Sequence, residues 1–393
     1  MPSTPTKSLI KKNPKEGKLA VVVPHSGQPT ETFIRRYCEQ LAPRNTVLVH
    51  FYHGADVWVP DCPTFFLQDA FFGSAKLARV YRAMQKALGI GSLFGDPYTA
   101  GCLLRFFQRE NVSVVFSQYL VTAWNIHHVV RRAGLRHVVR GHGFDVSSCL
   151  DNPIWRKRYL DMLYVDAIVV PSPFQLERLR SLGFQNVPIH AIPCGIDIPQ
   201  DIPVKSQPKN LVEFFFVGRL VPKKAPLLLV EAFLMAAEKN PNIRLAMGGD
   251  GPLASDLRDF LKGHPLRDRV HLLGRLDHSD VLKRMAASDV YIQHSVTDSE
   301  TGDQEGAPVA IMEAMANGLP IVSTMHSGIP FLVEDGQSGL LSNESDVQAM
   351  AQNISKLAGN WELRVQMGRS ALLRAKDFSW ESEKAEMQKI LQN

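Results

Sequence analysis

The stretch Ser299–Thr324, SETGDQEGAPVAIMEAMANGLPIVST, decides how the rest of the chain is read. Two carboxylates, Glu305 and Glu313, stand eight positions apart, with Gly306-Ala307-Pro308 between them. A flexible glycine followed by a proline suits the first turn of a helix. From Pro308 the apolar residues Val309, Met312 and Met315 recur at helical spacing. The pattern predicts a helix that carries Glu313 and that Glu305 precedes. Asn317-Gly318 ends it, and Leu319–Ser323 reads as a buried strand. The start of such a helix exposes unpaired backbone N–H groups and roughly half a positive charge, so the Gly306 turn can take hydroxyl or phosphate oxygens. One carboxylate before the helix and one along it could hold two hydroxyl-bearing parts of a single ligand. An ordinary amphipathic helix with two surface glutamates is the competing reading, and the surrounding chain decides between them.

Upstream of this stretch, strands and helices alternate. Val212–Val217 reads as a buried strand, and Gly218-Arg219-Leu-Val-Pro-Lys223-Lys224 as a basic turn before a helix over 225–239. Cations at a helix start oppose its macrodipole, which favours a ligand there over solvated charge. Together with backbone N–H groups they can neutralise a diphosphate. Ile243–Met247 is the next strand and ends in Gly248-Gly249-Asp250-Gly251-Pro252, a turn that admits close backbone approach. Strand 270–273 leads into Gly274-Arg275-Leu276, followed by helix 279–287 and strand 290–294; the segments 346–359, 362–375 and 379–391 read as helices.

The first half repeats the alternation. Lys18–Pro24 is a strand, and His25 to Ile34 forms a turn containing Gly27, followed by a helix with Thr30 as cap. Ligands of doubly wound sheets lie beyond the carboxyl ends of such strands. One glycine is too few for a dinucleotide fingerprint. Further strands are expected at 46–51, 112–117, 137–140 and 167–171, and helices at about 69–88, 98–109, 121–134 and 173–182. Arg140-Gly-His142-Gly-Phe-Asp145 leaves a strand with a histidine bracketed by glycines, which presents backbone and ring to a cleft. Ile192-Pro-Cys-Gly195-Ile-Asp197 ends another strand, and 199–210 reads as a linker.

Composition narrows the class. The 393 residues are 45% hydrophobic and 21% charged, which suits two or three globular domains. No apolar run approaches the roughly 20 residues of a membrane-spanning helix. Residues 1–17 are polar and basic with no apolar h-region, and are read as a disordered tail and not a secretory signal. Five scattered cysteines without a CxxC pair point to free thiols in a reducing cytoplasm and against zinc. Residues 1–200 carry 23 Lys/Arg against 14 Asp/Glu, about +9, whereas the remainder is about −4. A basic first half implies an anionic partner there, with solvated positive charge that contacts nothing as the alternative. Phe65, Phe66, Phe71 and Phe72 beside Lys76, Arg79, Arg82 and Lys86 could dock on a membrane interface, with core packing as the alternative.

The series GRL–KK, GDGP, GRL, EGxPxxxxEAMAxGxPIVST and EDGQSGLL resembles the retaining glycosyltransferases of family 4, which have the GT-B fold. In the first half PTETFI, RGHGFD, VVPS and PCGID match more loosely, the first two resembling enzymes of colanic-acid and other exopolysaccharide assembly. The resemblance implies an α/β protein with two doubly wound, Rossmann-like parallel-sheet domains facing a cleft. Residues 18–200 would bind the acceptor and 201–375 the nucleotide sugar, with a C-terminal helix over 376–393 packing back on the first domain. Arg219 and Lys224 would hold the diphosphate, Glu313 the ribose hydroxyls and Glu305 the donor sugar, helped by backbone at Gly306, Ala307, Pro308 and Val309. Gly218, Gly251 and Arg275 complete the donor set. His142 would line the sugar site, and Gly27 would lie beneath the diphosphate or acceptor. Three positions depart from the pattern: Cys194 stands for an asparagine, Phe331 for a glutamate, and the N-terminal loop lacks a second glycine.

The implied reaction moves a sugar from a nucleotide-diphosphate sugar to a hydroxyl acceptor with retention, without cofactor or metal; no DxD motif occurs. His142, Glu305, Arg219 and Lys224 would be its catalytic residues. Lys223, beside Lys224, is expected to point elsewhere and to tolerate alanine. A lipid-linked or anionic sugar acceptor, peripheral contact with the inner face of the membrane, and no nucleic-acid partner complete the expectation. A sugar-nucleotide epimerase or hydrolase on the same fold, and a non-catalytic nucleotide-sugar-binding protein, are the competing functions.

Overall fold

A computed structural model describes residues 17–24, 32–53, 61–70, 80, 97–200 and 210–393. The chain divides into two compact units, one made of Met1–Val170, Leu176–Ile192 and Lys384–Asn393, the other of Pro171–Gln175 and Pro193–Glu383.

The first unit is built on seven strands: β1 (Lys18–Val23), β2 (Thr46–His50), β3 (Thr64–Phe66), β4 (Val112–Gln118), β5 (Arg136–Arg140), β6 (Ala167–Val170) and β7 (Ile189–Ala191). They lie in the order β3-β2-β1-β4-β5-β6-β7, every pair parallel. Parallel sheets are covered on both faces, so their strands are apolar on both sides. β4, VSVVFSQ, accordingly has all seven residues buried. Strand order reverses between β1 and β4, and ligands of such sheets bind beyond the carboxyl ends at that switch point.

The second unit repeats the plan with β8 (Val212–Val217), β9 (Ile243–Gly248), β10 (Val270–Gly274), β11 (Val290–Ile292), β12 (Ile321–Thr324) and β13 (Gly339–Ser342), in the order β10-β9-β8-β11-β12-β13. Its switch point lies between β8 and β11, which pair in parallel through Val290–Phe214 and Tyr291–Phe215. Alternation along β8 sends Phe214 and Phe216 into one apolar cluster and Phe215 into the other. Phe233, on the helix Pro226–Lys239, meets Phe214 edge-on at 5.8 Å. Removing that ring would cost about 3–5 kcal/mol.

Two expectations change here, and others fall on residues outside those described. Phe65 and Phe66 belong to β3; Phe65 packs on Phe106 at 5.0 Å, and Phe66 stacks between His50 and His53 at 4.9 and 4.0 Å. These two rings are part of the fold and not a free membrane-facing surface. Phe71, Phe72, Lys76, Arg79, Arg82 and Lys86 fall outside the described residues, as do Gly27, Thr30, most of the expected helix 69–88 and residues 201–209 of the expected linker. Pro308 is the residue before the helix, with φ −62° and ψ 115°, so the helix begins at Val309.

The PCGID segment is structural. Ile196 donates to Phe378 O at 3.0 Å and accepts from Trp380 N at 2.9 Å, while Gly195 N donates to Glu383 Oε2 at 2.7 Å. Cys194 therefore sits where the chain is pinned to the last turn of its own unit. Phe331 stacks on Phe378 at 5.7 Å, and the Arg374 guanidinium lies 4.7 Å from the Phe378 ring.

Candidate active site

Lys224 and Glu305 come from the loops after β8 and β11, the two strands that flank the switch point. The ammonium of Lys224 stands 3.1 Å from Glu305 Oε1, with side-chain exposures of 13% and 8%. The contact is a close ion pair in which Glu305 Oε1 is otherwise without a hydrogen-bond partner among the described residues. Burial lowers the pKa of Lys224, opposed by Glu305 and reinforced by Lys223 and Arg219. Burial alone would raise that of Glu305; the charges of Lys224 and Lys223 outweigh it and hold the carboxyl below its ordinary range. Glu305 is therefore ionised at neutrality, and its attraction to Lys224 acts in a poorly solvated place where Coulomb terms are strong.

The lysine is delivered by a short 3₁₀ turn, Pro222–Lys224, followed by Ala225 at φ 37° and ψ 54°. A left-handed non-glycine residue costs about 1–2 kcal/mol, and it redirects the chain into the helix Pro226–Lys239. The aliphatic stem crosses Gly218, where a Cβ would stand 3.2 Å from both Cδ and Cε. The loop after β9 locks against this turn. Gly249 has φ 139°, and a Cβ there would lie 1.9 Å from Gly218 O. Leu220 N donates to Asp250 O at 2.9 Å, and Gly251 packs on the Leu220 backbone. Arg219 and Arg275 are exposed, and neither has an ion-pair partner among the described residues.

Lys223 does point elsewhere, but not into water. It is 8% exposed, pairs with Asp303 Oδ2 at 3.0 Å and donates to Gln304 O at 3.2 Å. The expectation that alanine is tolerated there is corrected: the side chain anchors the loop that carries Glu305.

The peptide of Glu305 is held at both ends by residues that the sequence reading did not single out. Its N–H donates to His326 Nε2 at 3.1 Å, so the histidine carries its proton on Nδ1, which faces Glu344 Oε1 at 2.7 Å. Its carbonyl accepts from Ser327 Oγ at 2.6 Å and Gln175 Nε2 at 2.8 Å. Ser172 Oγ in turn donates to Gln175 Oε1. Gly328 permits this packing, because a Cβ there would stand 1.8 Å from Gly306 O. The only signals in sequence were polar residues inside VVPS and MHSGIP, which spacing alone cannot bring to Glu305.

Gly306, Ala307 and Pro308 lead directly into the helix Val309–Ala316. Among the described residues no backbone group accepts from the N–H of Gly306, Ala307 or Val309. These donors and the helix start can receive an anion. Glu313 lies on the same helix, and His278 Nε2 meets its Oε1 at 2.8 Å. His278 opens the helix after Gly274-Arg275-Leu276, capped by Asp277, whose Oδ1 accepts from Asp280 N at 2.9 Å.

In the first unit, His142 lies on the loop after β5. Its N–H donates to Asp145 Oδ1 at 2.6 Å, while Leu120 N donates to Asp145 Oδ2 at 2.6 Å. Asp145 is the fixed point that shapes the Gly-His-Gly loop. His142 Nε2 is 3.1 Å from Gln118 Oε1; a carbonyl oxygen only accepts, so the ring is protonated on Nε2 and Nδ1 is a lone pair. Burial, then the Arg140 charge, holds its pKa well below the ordinary value. Tyr119, at the carboxyl end of β4, has φ 72° and stacks on His142 at 4.5 Å. A strained aromatic residue at a switch point marks a functional loop, and nothing in its local sequence announced it.

The fold and this arrangement meet two sets of relatives. The family model described as "Glycosyl transferases group 1" matches residues 197–374, and that described as "Glycosyltransferase Family 4" matches residues 30–200. The chain thus has the GT-B fold, and each of its two halves matches a model named for glycosyltransferases. It is 35% identical over 227 residues to WcaL of Escherichia coli (strain K12), named as a glycosyltransferase of colanic acid biosynthesis, covering 56% of this chain and 55% of the relative. It is 31% identical over 223 residues to the amylovoran biosynthesis glycosyltransferase AmsK of Erwinia amylovora, covering 55% and 54%. The matched region spans about half the length of these curated relatives. Among solved structures, sucrose-phosphate synthase from Thermosynechococcus elongatus superposes with a TM-score of 0.73 at 19% identity, covering 95% of this chain and 98% of that one. Anabaena HepE in complex with UDP superposes at 0.72 and 16% identity, covering 95% and 99%. At these identities the structures speak for the fold.

Proposed function

We propose that the protein is a retaining glycosyltransferase that moves a sugar from a nucleotide-diphosphate sugar to a hydroxyl acceptor in exopolysaccharide or glycolipid assembly. The buried Lys224–Glu305 pair at the switch point, beside unpaired amides of a helix start, carries this reading. Breaking the sugar–diphosphate bond builds an oxocarbenium-like sugar and puts negative charge on the departing diphosphate. Lys224, the exposed Arg219 and the N–H groups of Ala307 and Val309 are placed to receive that charge, and preorganised donors of this kind contribute several kcal/mol each. Glu305 faces the sugar hydroxyls. Glu313, steadied by His278, faces the ribose, and Arg275 stands on the neighbouring loop. These cations supply the charge that a metal would bring, which supports a metal-independent reaction. Solved relatives in complex with UDP and with UDP-glucose support a nucleotide-sugar donor.

The role that the resemblance gives His142, on the sugar, is part of the proposal, as is that of Gly27. Neutral His142 has its Nε2 engaged by Gln118, so its free Nδ1 accepts a hydrogen bond and does not donate a proton. The relatives named for colanic acid and amylovoran synthesis support a polysaccharide or lipid-linked acceptor. The basic first half supports contact with an anionic acceptor or the inner membrane face. No helix among the described residues is long and apolar enough to cross a membrane.

Incubation with a panel of nucleotide sugars, chosen by thermal shift, tests the proposal. Release of nucleoside diphosphate that depends on acceptor and on Lys224 is the expected result. Epimerised donor without net release would establish the epimerase, and binding without turnover a non-catalytic protein.

A further inference from the structure

A second polar cavity lies in the first unit, remote from the carboxyl ends of its strands. It is open, about 550 Å³ in volume, and lined by His127, His128, Arg131, Arg132, Asp161 and Tyr164. Four of these residues belong to the last turns of the helix Leu120–Ala133. That helix begins at Leu120, which binds Asp145 beside His142, and its lining residues stand 7 to 12 positions further on, roughly 11–18 Å along the helix from that contact.

Its charge is unbalanced. Two guanidinium groups face one carboxylate, and neither arginine has an ion-pair partner among the described residues. The Arg131 guanidinium lies 4.3 Å from the centre of the Tyr164 ring. Asp161 already accepts from Trp124 Nε1 at 3.2 Å. Two other lining groups, His128 Nε2 and the Tyr164 hydroxyl, are buried atoms with no hydrogen-bond partner among the described residues. Arginines near a helix C-terminus complement its dipole, which accounts for their charge. It does not account for the two orphaned polar atoms, since buried groups of this kind are normally satisfied.

We propose that this cavity binds a phosphate ester. Arginine forks suit phosphate oxygens, the Tyr164 hydroxyl adds a neutral donor, and His128 Nε2 adds a second in the tautomer protonated there. A free sugar phosphate and a phospholipid headgroup share this chemistry. Leu160 and Leu163, 39% and 44% exposed beside Asp161 and Tyr164, give the lipid source a place for its apolar part. The inference goes beyond the donor reading and does not depend on it.

The test uses the full chain carrying Lys224→Met, so that phosphate binds the donor site more weakly and the Arg131 and Arg132 variants report on this cavity. One arm titrates inorganic phosphate and glycerol 3-phosphate calorimetrically. The other measures co-sedimentation with phosphatidylcholine vesicles with and without phosphatidylglycerol. Saturable binding in the soluble arm alone identifies a free phosphate ester, and binding to anionic vesicles identifies a headgroup. In either case Arg131→Gln/Arg132→Gln, at two exposed side chains, should weaken binding by roughly tenfold or more, and Tyr164→Phe by roughly fivefold. Thermal melts confirm that the variants fold. Binding in neither arm overturns the proposal, as does binding that Arg131→Gln/Arg132→Gln and Tyr164→Phe both leave unchanged.

Discussion

Substituting Lys224 by methionine perturbs both the fold and the proposed chemistry, and the two can be separated. The ammonium is 3.1 Å from a carboxylate that is itself 7% exposed, so methionine leaves Glu305 buried without its main partner. Breaking a buried pair by removing one partner costs about 3–5 kcal/mol. Lys223 still favours the carboxylate, and proton uptake offers it another escape, so the lower end applies. About 3 kcal/mol corresponds to a fall in Tm of roughly 6–12 °C for a unit of this size. Adding Glu305→Gln removes the uncompensated charge and should recover most of that fall. Turnover should behave differently: losing one donor to a developing anion costs roughly 10²–10³-fold, which the second substitution cannot restore. Differential scanning calorimetry with a nucleoside-diphosphate release assay on wild type, both single variants and the double variant closes the cycle. If Lys224→Met/Glu305→Gln regains stability and wild-type turnover together, Lys224 serves only to neutralise Glu305, and its assignment to the diphosphate is wrong.

Four further outcomes are expected. Lys223→Ala should lower Tm by several degrees through loss of the Asp303 and Gln304 contacts while reducing turnover less than Lys224→Ala; equal turnover losses at both positions would refute the distinction. Gly328→Ala forces a Cβ into the Gly306 carbonyl, so donor binding measured by thermal shift should be lost, and an unchanged affinity would show that this approach does not shape the donor loop. Activity should survive EDTA, and strict dependence on added Mg²⁺ or Mn²⁺ would remove Arg219 and Lys224 as the source of charge compensation. Burial pushes His137 down to about 3 and His294 down to about 4, so below pH 6.5 the unfolded chain binds protons that the folded chain refuses. Stability should therefore fall as pH drops from about 6.5 towards 4, by up to about 1.4 kcal/mol per pH unit per histidine, and a flat denaturation midpoint over that range would contradict it.

The sequence by itself determined the alternation of strands and helices, because largely apolar runs such as VEFFFV and amphipathic helices between them leave a doubly wound sheet as the economical solution. It also determined the order Lys224, Glu305, Glu313, since motif spacing and a helix start can be read from neighbouring residues. The strand order was not legible, and with it went the reason that the loops after β8 and β11 meet: pairing of strands 73 or more residues apart leaves no local trace. For the same reason Gln175, His326 and Ser327 were missed as supports of the Glu305 peptide, and Asp145 as the support of His142. Lys223 was misjudged because two adjacent lysines look alike in sequence, while the turn Pro222–Lys224 and the left-handed Ala225 send one to Asp303 and the other to Glu305. Chemistry that depends on neighbours along the chain was written in the residues; chemistry that depends on neighbours across the sheet existed only once the sheet had formed.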